Sequence, residues 1–167
     1  MSNVLVSDAN VFVFLIKANV FEKVFHGSLF TVYVTEAVVE EITQGNVIPR
    51  RHYNVTDRFN KALYSQYPSE DVVDIQLKSI DEVTSDTGIQ YYSDLKDENL
   101  LDKGELESVV IAKEFNIRFI SDDDDSIDEC DDQQIPHAHF LVFVDECKTQ
   151  EIINEEEYSL LLDVIKS

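Results

Sequence analysis

The chain is short of positive charge. Its 13 Lys and Arg stand against 34 Asp and Glu in 167 residues, for a formal net charge of −21 at pH 7. Such a balance repels a phosphate backbone at long range. A nucleic-acid substrate would have to be met through metal ions and a local basic patch, whereas a cationic protein would be drawn in. Cysteine is scarce as well. Cys130 and Cys147 are the only two, without a CxxC or a zinc-type spacing, and they read as reduced structural thiols. No apolar run approaches the ~20 residues that span a bilayer. The opening MSNVLVSDAN lacks the basic region and small-residue cleavage site of a signal peptide. These absences point to a cytoplasmic protein with no membrane segment. On that reading Asn54-Val55-Thr56 matches a glycosylation acceptor by pattern only.

Hydrophobic residues make up 44% of the chain and aromatics 10%, enough for one globular domain over residues 1–167. NVLVSDA (3–9) reads as a buried strand, followed by a helix with apolar positions Phe14, Leu15, Ala18, Phe21, Val24 and Phe25 that ends at Gly27. SLFTVYV (28–34) is a second strand, and Thr35 caps a helix to about Thr43, stopped by Gly45. Residues 46–100 form a less legible middle region. It holds a loop with the Arg50-Arg51 pair, helical patterns at 55–66 and 70–82, and a turn-rich polar stretch, SDTGIQYYSDLKDENL. From Asp102 the pattern is clear again: GELESVVIAKEF is a helix, NIRFIS a strand, and an acidic loop follows. AHFLVFVDEC is a strand or a buried helix start. Asn154 and Glu157 then form a capping box that opens a final helix. Alternating strands and helices predict an α/β domain with a mostly parallel central sheet flanked by helices.

In such sheets ligands gather at the carboxyl ends of the strands. Asp8 ends the first strand, and Asp122 and Asp123 end NIRFIS, so distant segments deliver carboxylates to one edge. Each acid also has a plain local use. Asp8 can cap the following helix, and Asp102 with Glu105 can form a capping box, which leaves Glu107 on the surface. Glu40 and Glu41 are neighbours on a helix, so only one of them can lie near its buried face. FISDDDDSIDECDD (119–132) holds eight carboxylates and can be a solvated charge block. Taken together, acids at the ends of the most legible units suit Mg²⁺ or Mn²⁺, which prefer hard oxygen ligands.

The ordered motifs resemble the PIN-domain ribonucleases, in particular their toxin-like and DUF3368-like branch. VLVSDANVFVFL is similar to the family's opening strand and its metal-binding Asp. VYVTEAVVEEI is similar to the second strand and helix, pointing to Glu41, with Glu40 as the alternative. GELESVVIAKE resembles the third motif, at Glu105, and RFISDDDDS the closing motif, at Asp123 with Asp122 beside it. FLVFVDECKTQEIINEEEYSLLLDVI resembles the last strand and helix. The resemblance covers residues 3–45 and 102–165. It implies an Mg²⁺- or Mn²⁺-dependent endoribonuclease in which Asp8, Glu41, Glu105 and Asp123, with Asp122, hold metal. It also implies room for a basic antitoxin of a type II toxin–antitoxin pair, or for a second copy of the chain. Asn10 would cap the first helix, and Arg50, Arg51 and His52 are candidate RNA contacts. His137 and His139 alternate in PHAHF, as at a structural strand end, with a metal as their competing use.

Two other classes remain in view. One is a non-catalytic PIN-like module whose acidic face binds a basic protein. The other is a receiver-like or phosphatase-like domain. A haloacid-dehalogenase-type phosphatase wants a second Asp two residues after the nucleophile, where this chain has Asn10.

Overall fold

The computed structural model describes residues 3–43, 53–63 and 73–166. The predicted α/β class is the observed one. Five strands, β1 (Asn3–Ser7), β2 (Phe30–Thr35), β3 (Asp74–Lys78), β4 (Arg118–Ser121) and β5 (His137–His139), form one sheet in the order β3-β2-β1-β4-β5. All four strand pairings are parallel. The chain builds outward from β1 through β2 to β3, then returns to the other side of β1 for β4 and β5. The order therefore reverses between β1 and β4, the place where such sheets open a crevice at their carboxyl ends.

Side chains alternate across the sheet, as the two-residue period of a strand requires. Leu5, Val32 and Ile120 enter the larger core, with Phe12, Phe21, Phe25, Phe59, Phe140 and Phe143. Val6, Tyr33 and Phe119 face the smaller one, with Val109, Val110, Tyr91, Leu95 and Cys130. Each core is covered by helices, which are α1 (Ala9–Lys17), α2 (Phe21–Val24), α3 (Glu36–Thr43), α4 (Tyr53–Leu63), α5 (Asp86–Glu98), α6 (Lys103–Phe115), α7 (Asp124–Gln133), α8 (Phe140–Thr149) and α9 (Glu155–Lys166). None of the described helices is long and apolar enough to cross a membrane.

Several expectations are corrected. The helix expected to run to Gly27 breaks at Asn19, whose φ is 59°. Val20 N–H donates to Leu15 O and Asn19 N–H to Ile16 O, both at 3.0 Å, which is a Schellman stop with Asn in the left-handed position. Residues 70–82 hold no α-helix where described. DIQLK pairs with β2 as an edge strand, and a 3-10 turn (Ile80–Glu82) follows. The polar stretch after it is helix α5. Ser85 caps it by accepting from Gly88 N–H at 2.9 Å, and Gly88, Tyr91 and Leu95 make its narrow buried stripe. The acidic loop is also a helix, α7. Asp124 and Asp125 stand in its first turn, where the helix dipole favours them, and Ser126 and Cys130 supply its buried face. AHFLVFVDEC divides into β5 and α8, and the Asn154–Glu157 capping box is present at 2.8 and 2.9 Å. Gly45, Arg50, Arg51 and His52 lie outside the described residues.

Candidate functional site

Asp8 follows the last residue of β1 and is 4% exposed. Its Oδ1 accepts from Val11 N–H at 3.1 Å, so it caps α1. Its Oδ2 accepts from the Ser121 hydroxyl across the β1–β4 junction. Ser121 Oγ also accepts from Asp123 N–H at 3.0 Å, which ties the two strand ends together through one hydroxyl. Burial pushes the Asp8 carboxyl up to about 7; the Ser121 bond opposes this and the charge of Asp122 adds to it. Capping and site membership are therefore not alternatives here, because one carboxylate oxygen serves each.

The run of four aspartates divides at the start of α7. Asp122 and Asp123 are half-buried, and Asp124 and Asp125 are exposed. Asp123 caps α7, accepting from Ser126 N–H at 2.9 Å and Ser126 Oγ at 2.8 Å. Asp122 accepts from the Asn10 amide at 3.4 Å. Burial and then Asp123 push its carboxyl above the usual range, while Asn10 and His139 oppose them. Asn10 was expected to cap α1; with Asp8 in that role, the Asn10 side chain is free to hold Asp122.

Glu105 reaches the same edge from α6. It forms the expected box with Asp102, donating its N–H at 2.9 Å and accepting Asp102 N–H at 3.3 Å. Burial lifts its carboxyl to about 8, with further contributions from Asp102, Asp123 and Asp8. These last two place Glu105 in the field of both strand ends.

A second arm lies across α6. Glu41 is half-buried and Glu40 exposed, so Glu41 is the one nearer the buried face of α3. Glu41 packs on Gly104 so closely that a Cβ there would stand 2.1 Å from its Oε1. Burial, then Asp102, raises Glu41 to about 7, opposed by a bond from the Gly104 N–H. Glu107 was expected at the surface and is instead 6% exposed. Its Oε1 accepts from Ala37 N–H at 3.2 Å, serving the free amides that open α3. Nothing in the local pattern of α6 announces this, since the partner lies 70 residues away.

His137 and His139 serve the local structure. His137 sets Nδ1 2.7 Å from Ile135 O and Nε2 2.9 Å from Asp131, and His139 caps α8 by accepting from Leu141 N–H at 3.1 Å. Both thiols are buried, and burial lifts each to about 12, so they are unreactive at neutral pH.

The edge thus gathers Asp8, Glu105, Asp122 and Asp123, with Glu41 and Asp102 beside them. Their oxygens are the donors a hard divalent cation takes. Among the described residues, no three His, Cys, Asp or Glu side chains are grouped so as to hold an ion. Loading one would require at least one carboxylate to swing toward the others. No protein-family model and no curated protein matches this chain.

Proposed function

We propose that this edge is the active site of a divalent-metal-dependent ribonuclease of the PIN-domain type. The observation that carries the reading is mutual: Asp8, Glu105 and Asp122 come from separate segments, and each is harder to ionise because of burial and of other acids at the edge. Such a constellation favours a cation more strongly than acids dispersed on a surface do.

Asp8, Glu41, Glu105 and Asp123, with Asp122, are the residues that would hold Mg²⁺ or Mn²⁺. When bound, the ion supplies a Lewis acid beside the phosphodiester. The chain's own groups do the positioning. Ser121 fixes the Asp8 carboxylate against the start of α7, and Asn10 fixes Asp122. On this reading RNA is the substrate and a basic antitoxin or similar basic protein is the partner that the net charge of −21 suits.

The test is cleavage of a mixed RNA pool with Mn²⁺ by the wild type, Asp8→Asn and Asp123→Asn. Metal-dependent cleavage that both variants lose supports the reading. An inactive wild type that also fails to bind Mn²⁺ by calorimetry sinks it, and favours a non-catalytic acidic module that binds a basic protein.

A further inference from the structure

On the face of the sheet that carries the smaller core, α5, α6 and α7 enclose a cleft of two adjoining cavities, about 380 and 670 Å³, that share Thr87, Lys113 and Gln133. The smaller cavity reaches Asn116 and Pro136, which lead into β4 and β5, so the cleft opens at the amino ends of these strands, away from Asp8 and Asp123. Among the described residues, Asp86, Asp94, Glu98 and Glu129 line the larger cavity against Lys113 as its one cation, and no ion pair reaches any of the five. The smaller cavity lies where α6 and α7 both end, at Asn116 and Gln134. Helix carboxyl ends favour cations, and α7 has no basic residue in its last turn. Lys113, at the junction, shows how the cleft holds an ammonium. Its Nζ stands 4.9 Å from the Tyr91 ring centroid and donates to Gln133 Oε1 at 3.3 Å.

The acids of α5 also have a spacing. Asp86, Asp94 and Glu98 stand on one side of the helix, since positions four apart share a face, and each step of four residues advances about 6 Å. On an extended chain, side chains at alternate positions point the same way about every 7 Å. Tyr91 and Leu95 line the cleft among those acids and are 8% and 2% exposed, an apolar floor for the stems of long cationic side chains. We infer that this cleft docks a basic segment of a partner protein, an extended stretch with Lys or Arg at alternate positions. The stems lie on Tyr91 and Leu95, and the charged heads meet Asp94, Glu98 and Glu129. A phosphate backbone would meet the same acids and be repelled. The inference takes from the proposed function only that a basic protein is the partner. It concerns the far edge of the sheet, so metal binding and cleavage at the carboxyl edge can fail without it.

The experiment titrates a blocked peptide of four Lys-Ala repeats into the full chain by calorimetry, without divalent metal and in about 0.1 M NaCl, where charges more than about 10 Å away are screened. Asp94→Asn with Glu98→Gln removes two charges from the cleft. Glu156→Gln with Asp163→Asn removes two exposed charges from α9, which packs on the larger core. The expected result is one peptide per chain, bound about 5-fold more weakly by the cleft variant and within about 2-fold of the wild type by the α9 variant. Lys113→Gln, which removes a like charge, should bind more tightly than the wild type. Equal weakening in the two paired variants overturns the inference, since the peptide would then follow net charge alone. So does a wild type that binds no peptide, or a Lys113→Gln that binds no more tightly. Spermidine bound as tightly as the peptide also overturns it, by making the cleft a site for small polycations. Mn²⁺ titration of the same samples keeps the two readings apart: the expected peptide binding without Mn²⁺ binding sinks only the metal site.

Discussion

Glu105 and Glu157 occupy the same local position, the third residue of a helix, each reaching back to the N–H of its cap in a capping box. Their surroundings differ. Lys23 donates to Glu157 at 2.6 Å and holds its carboxyl below the usual range, whereas burial and three other acids lift Glu105 to about 8. The contrast extends to the regions around them. Ion pairs join the outer helices around the larger core, with Lys23 on Glu157, Arg58 on Glu22 and Lys148 on Glu155. At the carboxyl edge, no ion pair among the described residues reaches Asp8, Glu41, Glu105, Asp122 or Asp123. In a chain with 13 Lys and Arg for 34 acids, that distribution separates carboxylates paired with a cation from carboxylates that are not.

The two regions must titrate in opposite senses. A carboxyl raised on folding keeps its proton when the unfolded chain has lost it, so stability falls as pH rises between the two values. Asp8, moved from 3.8 to about 7, destabilises the metal-free protein at pH 8 and does nothing below about pH 4. Asp8→Asn removes that buried charge and keeps a cap. The expected gain at pH 8 is on the order of 2–4 kcal/mol, disappearing below about pH 4, as read from urea unfolding at both values. A loss of stability at pH 8 would show that the carboxylate is compensated inside the protein, and the contrast with Glu157 would collapse.

The next largest effect is that of a cation. Mn²⁺ at about 100 times its Kd should stabilise the folded chain by about 2.7 kcal/mol and flatten the fall in stability between pH 5 and pH 8. Asp8→Asn should show neither change. Thermal unfolding with and without MnCl₂ across that range is the measurement. Equal stabilisation of both proteins would place the ion elsewhere on this acidic surface.

On the paired side the sign reverses and the size shrinks. The lowered Glu157 contributes stability above its unfolded value, lost as pH falls through the folded one. Glu157→Gln should cost about 0.2–1 kcal/mol at pH 8 and less in high salt, as a surface pair does. Urea midpoints at low and high salt check it.

Both boxes could be read from sequence because a capping box is a local pattern, Asp102 or Asn154 followed three residues later by Glu. The parallel sheet was legible for a similar reason, since VLVS, FTVYV and RFIS are short apolar runs bounded by turns and acids. What the pattern could not carry was tertiary. Glu107 looks like an exposed helix acid until α3 is packed against it and Ala37 N–H needs an acceptor. Helix α5 buries only Gly88, Tyr91 and Leu95, too thin a stripe to outweigh its polar composition. Asn19, Asn116, Gln134 and Glu151 end helices in the left-handed conformation, a role that sequence reading assigns to glycine. The break at Asn19 was missed for that reason.

The smallest prediction concerns the densest acids. FISDDDDSIDECDD read as a repelling charge block or as half of a site, and the structure divides it at one residue: Asp123 turns in to Ser126, and Asp125 turns out to solvent in the first turn of α7. The helix dipole already favours Asp125 where it stands. Asp125→Asn should therefore change stability by less than about 0.5 kcal/mol at any pH and leave Mn²⁺ affinity as it was. Asp123→Asn, two residues earlier, should weaken Mn²⁺ binding. Calorimetric titration of the two variants side by side decides it. An equal loss in both would mean that the ion is held by the diffuse charge of the whole run, and the boundary drawn at the start of α7 would have no chemical meaning.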